Sequence, residues 1–401
     1  MKVNDSRQDG PVSAEKVGLS RLAVFFLRLG TTAFGGPAAH IAMMEDEVVR
    51  RRGWVLREKF LDLLGAANLI PGPSSTEMAI FIGYQSAGWL GLLLGGLCFI
   101  VPAMLMVMAL AWAYVQYGNL PQITWLLYGI KPVVIAIVFQ ALLSLGRTAV
   151  KDRFLGALAI VAVVLNFLGV NALVLLFGIG LIAGLRRGFG ADRAGNRRPM
   201  LIMVLCAGCF LAAAYLASGL HSTGNVDFGL LPLFLFFLKI GSIVFGSGYV
   251  LLAFLHADLV DHWHWLTTTQ LLDAIAIGQV TPGPVFTTAT FIGYLLAGAP
   301  GALIATAGIF LPSFVFVAIG SSIIPHLRKS PIAGAFLDGV IVASLAVMAV
   351  VTRSLALSAV VDLPTALLAV GGAIALIRFH LNSLWLVVGG AIIGILVHMK
   401  I

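Results

Sequence analysis

Apolar positions in this chain come in long blocks, separated by short charged clusters. The clearest blocks occupy residues 91–114, 123–145, 154–168, 170–185, 201–218, 303–324, 333–351, 356–377 and 383–397. Many are long enough to cross a hydrocarbon core of ~30 Å as helices. They are rich in Leu, Ala and Gly and show no period-two alternation, which argues against a membrane β-barrel. The pattern predicts an all-α polytopic membrane protein.

Two further runs are interrupted. Residues 21–43 contain Gly35-Gly36-Pro37, and residues 60–89 contain Pro71-Gly72-Pro73. Pro lacks a backbone donor and Gly weakens a helix, so both triplets are expected to open the chain near the membrane midplane. Open backbone survives there only where protein buries it or where it lines a polar cavity. Residues 21–43 and 60–89 are both candidates to enter the membrane and return, with residues 91–114 crossing.

The blocks repeat. Phe25-Phe26-Leu27-Arg28-Leu29-Gly30 matches Phe236-Phe237-Leu238-Lys239-Ile240-Gly241 at an offset of 211. Phe34-Gly35-Gly36-Pro37 then meets Phe245-Gly246-Ser247-Gly248, Asp62 meets Asp273, and Pro71-Gly72-Pro73 meets Pro282-Gly283-Pro284. After a one-residue gap, Phe81-Ile82-Gly83-Tyr84 meets Phe291-Ile292-Gly293-Tyr294. The expected organisation is a polar arm over residues 1–19, a first repeat over 20–186, a basic loop and connecting helix over 187–219, and a second repeat over 220–401. The arm has no apolar stretch of the signal-peptide kind, so no cleaved leader is expected.

Charge adds orientation. Only 10% of the 401 residues are charged and 60% are hydrophobic, too little charge to cover a water-soluble globule. The net charge of +8 lies wholly in residues 1–200. Its basic clusters sit between apolar runs, which reads as cytoplasmic loops and not as a nucleic-acid surface. Arg50, Arg51, Arg52, Arg57 and Lys59 face a second-half counterpart without Lys or Arg, whereas Arg328 and Lys329 face a first-half counterpart with none. The bias reverses between halves. That predicts inverted-topology repeats, with the N-terminus cytoplasmic and the connecting helix turning the second half over.

Candidate chemistry gathers at the breaks. Half-helix N-termini carry partial positive charge and suit anions. Ser74, Ser75 and Thr76 follow the first triplet, and Thr287, Thr288 and Thr290 the second; Ser74 and Thr287 are also placed to cap the following helices. Asn68 and Gln279 precede the two triplets. The substrate-binding candidates are therefore Gly35, Gly36, Pro37, Asn68, Pro71, Gly72, Pro73, Ser74, Ser75 and Thr76, with Gly246, Ser247, Gln279, Pro282, Gly283, Pro284, Thr287 and Thr288 in the second half. Arg28 and Lys239 stand at matched positions, and Lys131 lies in an apolar run; each could meet an anion or snorkel to an interface. Glu77, Asp62, Asp273 and Asp338 are acids in apolar surroundings; the first three are candidates for moving a proton. His256, His262 and His264 stand near Asp258 and Asp261, which reads as an exposed loop with Trp263 and Trp265 at the interface. Cys206 and Cys209 lie inside an apolar run without a redox context. No phosphate-binding Gly-rich loop appears. No cofactor or metal is expected.

Taken together, the paired motifs resemble the chromate ion transporter family, in both halves and over most of the chain. The resemblance implies an inner-membrane protein that moves chromate and related sulfate-like oxyanions, associated with export and chromate resistance, with two oppositely oriented halves. Gly36-Pro37 becomes Ser247-Gly248 and Glu77 has no acidic partner, so the halves are not expected to be equivalent. A dianion leaving a negative-inside cell gains about 4.6 kcal/mol per 100 mV, so export needs no coupling ion, although proton coupling stays open. A sulfate or other small-anion carrier is the alternative, and a membrane-embedded reductase or a non-transporting sensor stands further off. The expected partners are the oxyanion and the bilayer, with a homodimer left open.

Overall fold

A computed structural model describes residues 17–34, 36–118, 120–191, 228–245, 248–327 and 330–399. These residues form helices and no strand. The first half runs α1 (Leu19–Thr32), α2 (Gly36–Met44), α3 (Arg57–Ala67), α4 (Ser74–Tyr117), α5 (Pro121–Ala149), α6 (Arg153–Phe167) and α7 (Ala172–Ala191). The second runs α8 (Leu230–Ile243), α9 (Leu251–Leu255), α10 (Thr268–Val280), α11 (Thr288–Leu327), α12 (Pro331–Ala359), α13 (Leu363–Phe379) and α14 (Ser383–Met399). Among the described residues, four helical stretches are long and apolar enough to cross a membrane: Ser74–Tyr117, Pro121–Ala149, Val285–Gly320 and Pro331–Ala359. Leu, Val and Ile side chains such as Ile160, Leu367, Val370 and Ile392 are exposed on outer faces, as a lipid-facing surface requires. The expected connecting helix, with Cys206 and Cys209, lies outside the described residues.

The duplication seen in sequence recurs as matched backbone geometry. A wide π-type turn follows α2 at Glu45–Arg51 and follows α9 at His256–His262. The chain after each turn comes back beside the helix that entered. Trp54 stands edge-on to Phe25 at 5.8 Å, and Trp263 packs on Phe236 at 5.1 Å between ring centroids. The first broken segment therefore folds back on itself in both halves.

The second broken segment also reverses. α4 is interrupted at Ala87 (φ −146°, ψ 23°) and Gly88 (φ 62°, ψ −145°), and α11 at Ala297 (φ −145°, ψ 24°) and Gly298 (φ 62°, ψ −152°). That glycine conformation is essentially closed to side-chain-bearing residues. Here it folds a short leg, residues 74–86, back along a long one, residues 89–117. Gly83 meets Gly91 and Ala79 meets Gly95, backbone against backbone, an antiparallel register that only small residues permit. Gly293 meets Gly301 in the same way in the second half. The long leg, roughly 40 Å as a helix, suffices to cross alone.

The halves are interlocked. α1 packs on α4 and α8 on α11, but α5 packs chiefly against α13 and α14, whereas α12 packs against α6 and α7. Glycines make these crossings close: a side chain at Gly129 would run into Gly390 and Gly394, and one at Gly339 into Gly180. Each half thus buries its longest unbroken helix in the other.

Candidate functional site

The breaks expected from the sequence meet at one place. α1 ends at Thr32 and α8 at Ile243, each leaving an extended residue, Ala33 or Val244. The Gly72 N–H donates to the Val244 carbonyl at 2.7 Å, and the Gly283 N–H donates to the Ala33 carbonyl at 2.9 Å. Each Pro-Gly-Pro turn is therefore tied to the first break of the opposite half. Peptide groups opened at membrane depth need partners, and these reciprocal bonds supply some of them. Gly35, Gly246 and Ser247 lie outside the described residues.

Gly72 has φ 136° and Gly283 φ 95°, and both are closely approached. A methyl group on Gly72 would strike the Glu77 carboxyl and lie 2.7 Å from the Ser313 hydroxyl. On Gly283 it would lie 2.6 Å from the Ala103 methyl and 3.3 Å from the Gly30 carbonyl. Ala103 and Ser313 are matched positions, one after Pro102 and the other after Pro312. The crossing thus presents the Ala103 methyl and a backbone carbonyl at Gly283, and a carboxyl and a hydroxyl at Gly72.

Ser74, Ser75, Thr76 and Glu77 form the first turn of α4 and are all buried. The Thr76 and Glu77 N–H groups bond the Pro73 carbonyl at 2.8 and 3.1 Å. Ser74 begins α4 and does not occupy its cap position. Pro73 occupies the cap position of α4 without a side-chain bond, and the Thr287 hydroxyl donates back to the Pro284 carbonyl at 2.8 Å. The reason is the fixed φ of the prolines, which places the turn carbonyls within reach of the hydroxyls that follow. Thr288 likewise donates to the Val285 carbonyl at 2.8 Å, and the Thr290 and Thr306 hydroxyls share a 2.7 Å bond. The polar atoms of the Gly72 corner differ. Both Glu77 carboxyl oxygens, the Thr76 hydroxyl and the Ser313 hydroxyl are buried without a hydrogen-bond partner among the described residues.

The other candidates are dispersed. Lys131 on α5 pairs with Asp273 on α10 at 3.0 Å, and the Tyr114 hydroxyl on α4 donates to the same carboxylate at 2.8 Å. Asp62, the sequence equivalent of Asp273, is exposed. Arg28 is exposed, and Lys239 pairs with Asp258 in the π-type turn at 2.8 Å. Asn68 is exposed and Gln279 half-buried; Gly36, Pro37 and Pro71 are half-buried, whereas Pro73, Pro282 and Pro284 are buried. Asp338 pairs with Lys151 at 2.7 Å in the wall of a cavity of about 780 Å³ that Arg186 and Arg187 also line. His256 is buried, with Nδ1 3.0 Å from Asp261 and Nε2 3.3 Å from the Ser354 hydroxyl.

Three residues of the crossing and its flanks escape sequence reasoning. His40 is buried on α2, its Nε2 donating at 3.1 Å to the Ala33 carbonyl that also receives Gly283. Ser313 is visible only through its match with Ala103 beside a repeated proline. Tyr114 sits in an ordinary apolar run and gives no signal at all.

Comparison with known proteins places these features in a family. The family profile described as chromate transporter matches residues 20–185 and again residues 231–395. A chromate transport protein of Cupriavidus metallidurans is 36% identical over 388 residues, covering 95% of this chain and 93% of that protein. A probable chromate transport protein of Synechococcus elongatus is 33% identical, covering 90% of this chain and 89% of that one. A chromate transport protein of Pseudomonas aeruginosa is 32% identical, covering 79% and 76%. No solved structure matches. Two matched segments account for most of the chain, and the relatives align along most of its length: the chain belongs to the chromate transporter family.

Proposed function

We propose that this protein is a secondary transporter that exports chromate, and sulfate-like oxyanions of the same shape, across the inner membrane. The observation that carries the reading is the crossing of four chain breaks, tied by the Gly72–Val244 and Gly283–Ala33 bonds. It sets the starts of two helical legs, α4 and α11, at a shared centre; most N–H groups of the turns are spent on carbonyls, which leaves the start of α4 around Ser75 and the Thr76 hydroxyl to meet an anion. Gly72, Pro73, Ser75 and Thr76 with Gly283, Pro284, Thr287 and Thr288 form the seat. Lys131 is spent on Asp273 and serves as a tie between halves.

The two repeats, residues 20–186 and 220–401, insert with opposite orientation, the N-terminal arm in the cytoplasm. The reversed loop charge supports this, as do the reciprocal contacts of matched elements. Tyr114, at the far end of the long leg of α4, lies beside Asp273 of α10, in the opposite half's re-entrant segment. Lys151, after α5, lies beside Asp338, at the start of α12. The protein moves its substrate without altering it, in keeping with relatives named as transport proteins.

Chromate accumulation in inside-out membrane vesicles tests the reading. Accumulation should fall severalfold when the membrane potential is dissipated, and excess sulfate should compete. Vesicles that hold inserted protein yet accumulate no chromate would refute chromate as the substrate or export as the direction.

A further inference from the structure

Glu77 is unusual in this molecule. It is fully buried in the first turn of α4, and neither carboxyl oxygen has a hydrogen-bond partner among the described residues. It faces Gly72 together with the Ser313 hydroxyl of α11, likewise unpartnered, and the Thr76 hydroxyl next to it is unpartnered too. No charged side chain among the described residues pairs with it. Elsewhere in the site, His40 turns Nε2 to the Ala33 carbonyl and leaves its buried Nδ1 unpartnered among the described residues, and Asp273 is held by Lys131 and Tyr114.

A bare carboxylate buried without partners is costly, so the group needs a neutralising cation. The need grows when an oxyanion occupies the same helix start, because like charges in a dry site disfavour each other. A proton serves both ends: it removes the charge and turns Glu77 into a donor toward the anion. The second half offers no equivalent, since Thr287 and Thr288 stand there with hydroxyls closed on Pro284 and Val285. Among the described residues the crossing therefore holds one such group, not two.

We propose that Glu77 carries one proton along with each oxyanion, so that one net negative charge crosses per chromate where the free dianion would move two. This rests on the oxyanion reading above. Proton and anion favour each other's binding here, so they travel in the same direction. Export remains driven by the potential, but each chromate draws on half the electrical force.

The test is a reversal potential. The full chain is reconstituted into liposomes with a tenfold chromate gradient, the voltage is clamped with potassium and valinomycin, and the voltage of zero net flux is found. Wild type should reverse near 59 mV, the value for one charge, and a tenfold proton gradient should shift that point as far as a tenfold chromate gradient does. Glu77→Gln should reverse near 30 mV, the value for two charges, and ignore the proton gradient. Glu77→Asp should retain the wild-type value at a lower rate, which keeps the test open if the amide variant inserts poorly. Wild type reversing near 30 mV without proton sensitivity would overturn the inference while leaving chromate transport intact. So would a reversal that follows sodium in place of protons, or a Glu77→Gln protein that still responds to protons. Folded wild-type protein that passes no chromate would overturn the oxyanion reading and this inference with it.

Discussion

Side chains that look alike in sequence end in unlike surroundings. Asp62 and Asp273 occupy matched positions, yet Asp62 is exposed and Asp273 is buried against Lys131 and Tyr114. The difference comes from the partners: a lysine at position 131 and a tyrosine at 114 have only Ile341 and Ile324 at the matching positions of the second half. Removing one member of a buried ion pair strands the other, at a cost of about 3–5 kcal/mol, whereas replacing both with apolar residues is often neutral. Lys131→Met or Asp273→Leu alone should therefore lower thermal stability in detergent markedly. The double variant should recover most of that loss and keep chromate flux within about threefold of wild type if the pair only ties the halves together; a double variant that is stable but inactive would return Lys131 to the binding site. The sequence displays both residues as odd charges in apolar runs. It cannot pair them, because 142 positions and a half boundary separate them and neither sits at a repeat-matched partner of the other.

Helices here are interrupted at two kinds of place, and only one kind is plain in sequence. The Pro-Gly-Pro turns announce themselves, because proline removes a donor and its ring excludes the preceding helix. The reversals at Ala87-Gly88 and Ala297-Gly298 do not, since an Ala-Gly pair in a glycine-rich run is common. Loop charges make residues 60–89 a candidate to return, but they leave the place of the reversal open. The bond partners Ala33 and Val244 were illegible, because any residue can offer a carbonyl. Gly88 and Gly298 meet no atom within 4 Å of where a side chain would begin, so substitution there costs backbone strain and not a clash. Gly88→Ala and Gly298→Ala should each destabilise by about 1–3 kcal/mol. They should also loosen the packing of the two legs, seen as faster hydrogen exchange in residues 74–86 or 288–296. Equal exchange in variant and wild type would mean the hairpin does not depend on that glycine.

At the scale of the whole molecule, the repeat read from the sequence reappears as paired geometry, but the exchange of helices between halves does not follow from it. Two copies side by side, each with its own core, would carry the same motifs. What decides is the glycine register: Gly129 fits Gly390 and Gly394 of the other half, and Gly339 fits Gly180. Such close small-residue crossings supply much of the association energy of helices in lipid. Fragments 1–191 and 192–401 expressed together should therefore assemble and co-purify, and either one alone should fail to accumulate. Stable accumulation of one fragment would show that the halves possess independent cores.

The exchange of helices also fixes an order of events during synthesis. α5 is complete at Ala149, but its partners α13 and α14 begin at Leu363. At ribosomal speeds of about 5–20 residues per second the gap is on the order of ten to forty seconds. Through that interval the Gly129 face of α5 has only lipid or assisting proteins against it. A ribosome that stops short of α13 leaves that face uncovered for good, so a nonsense codon just before Leu363 should be as damaging as one just after Ala149.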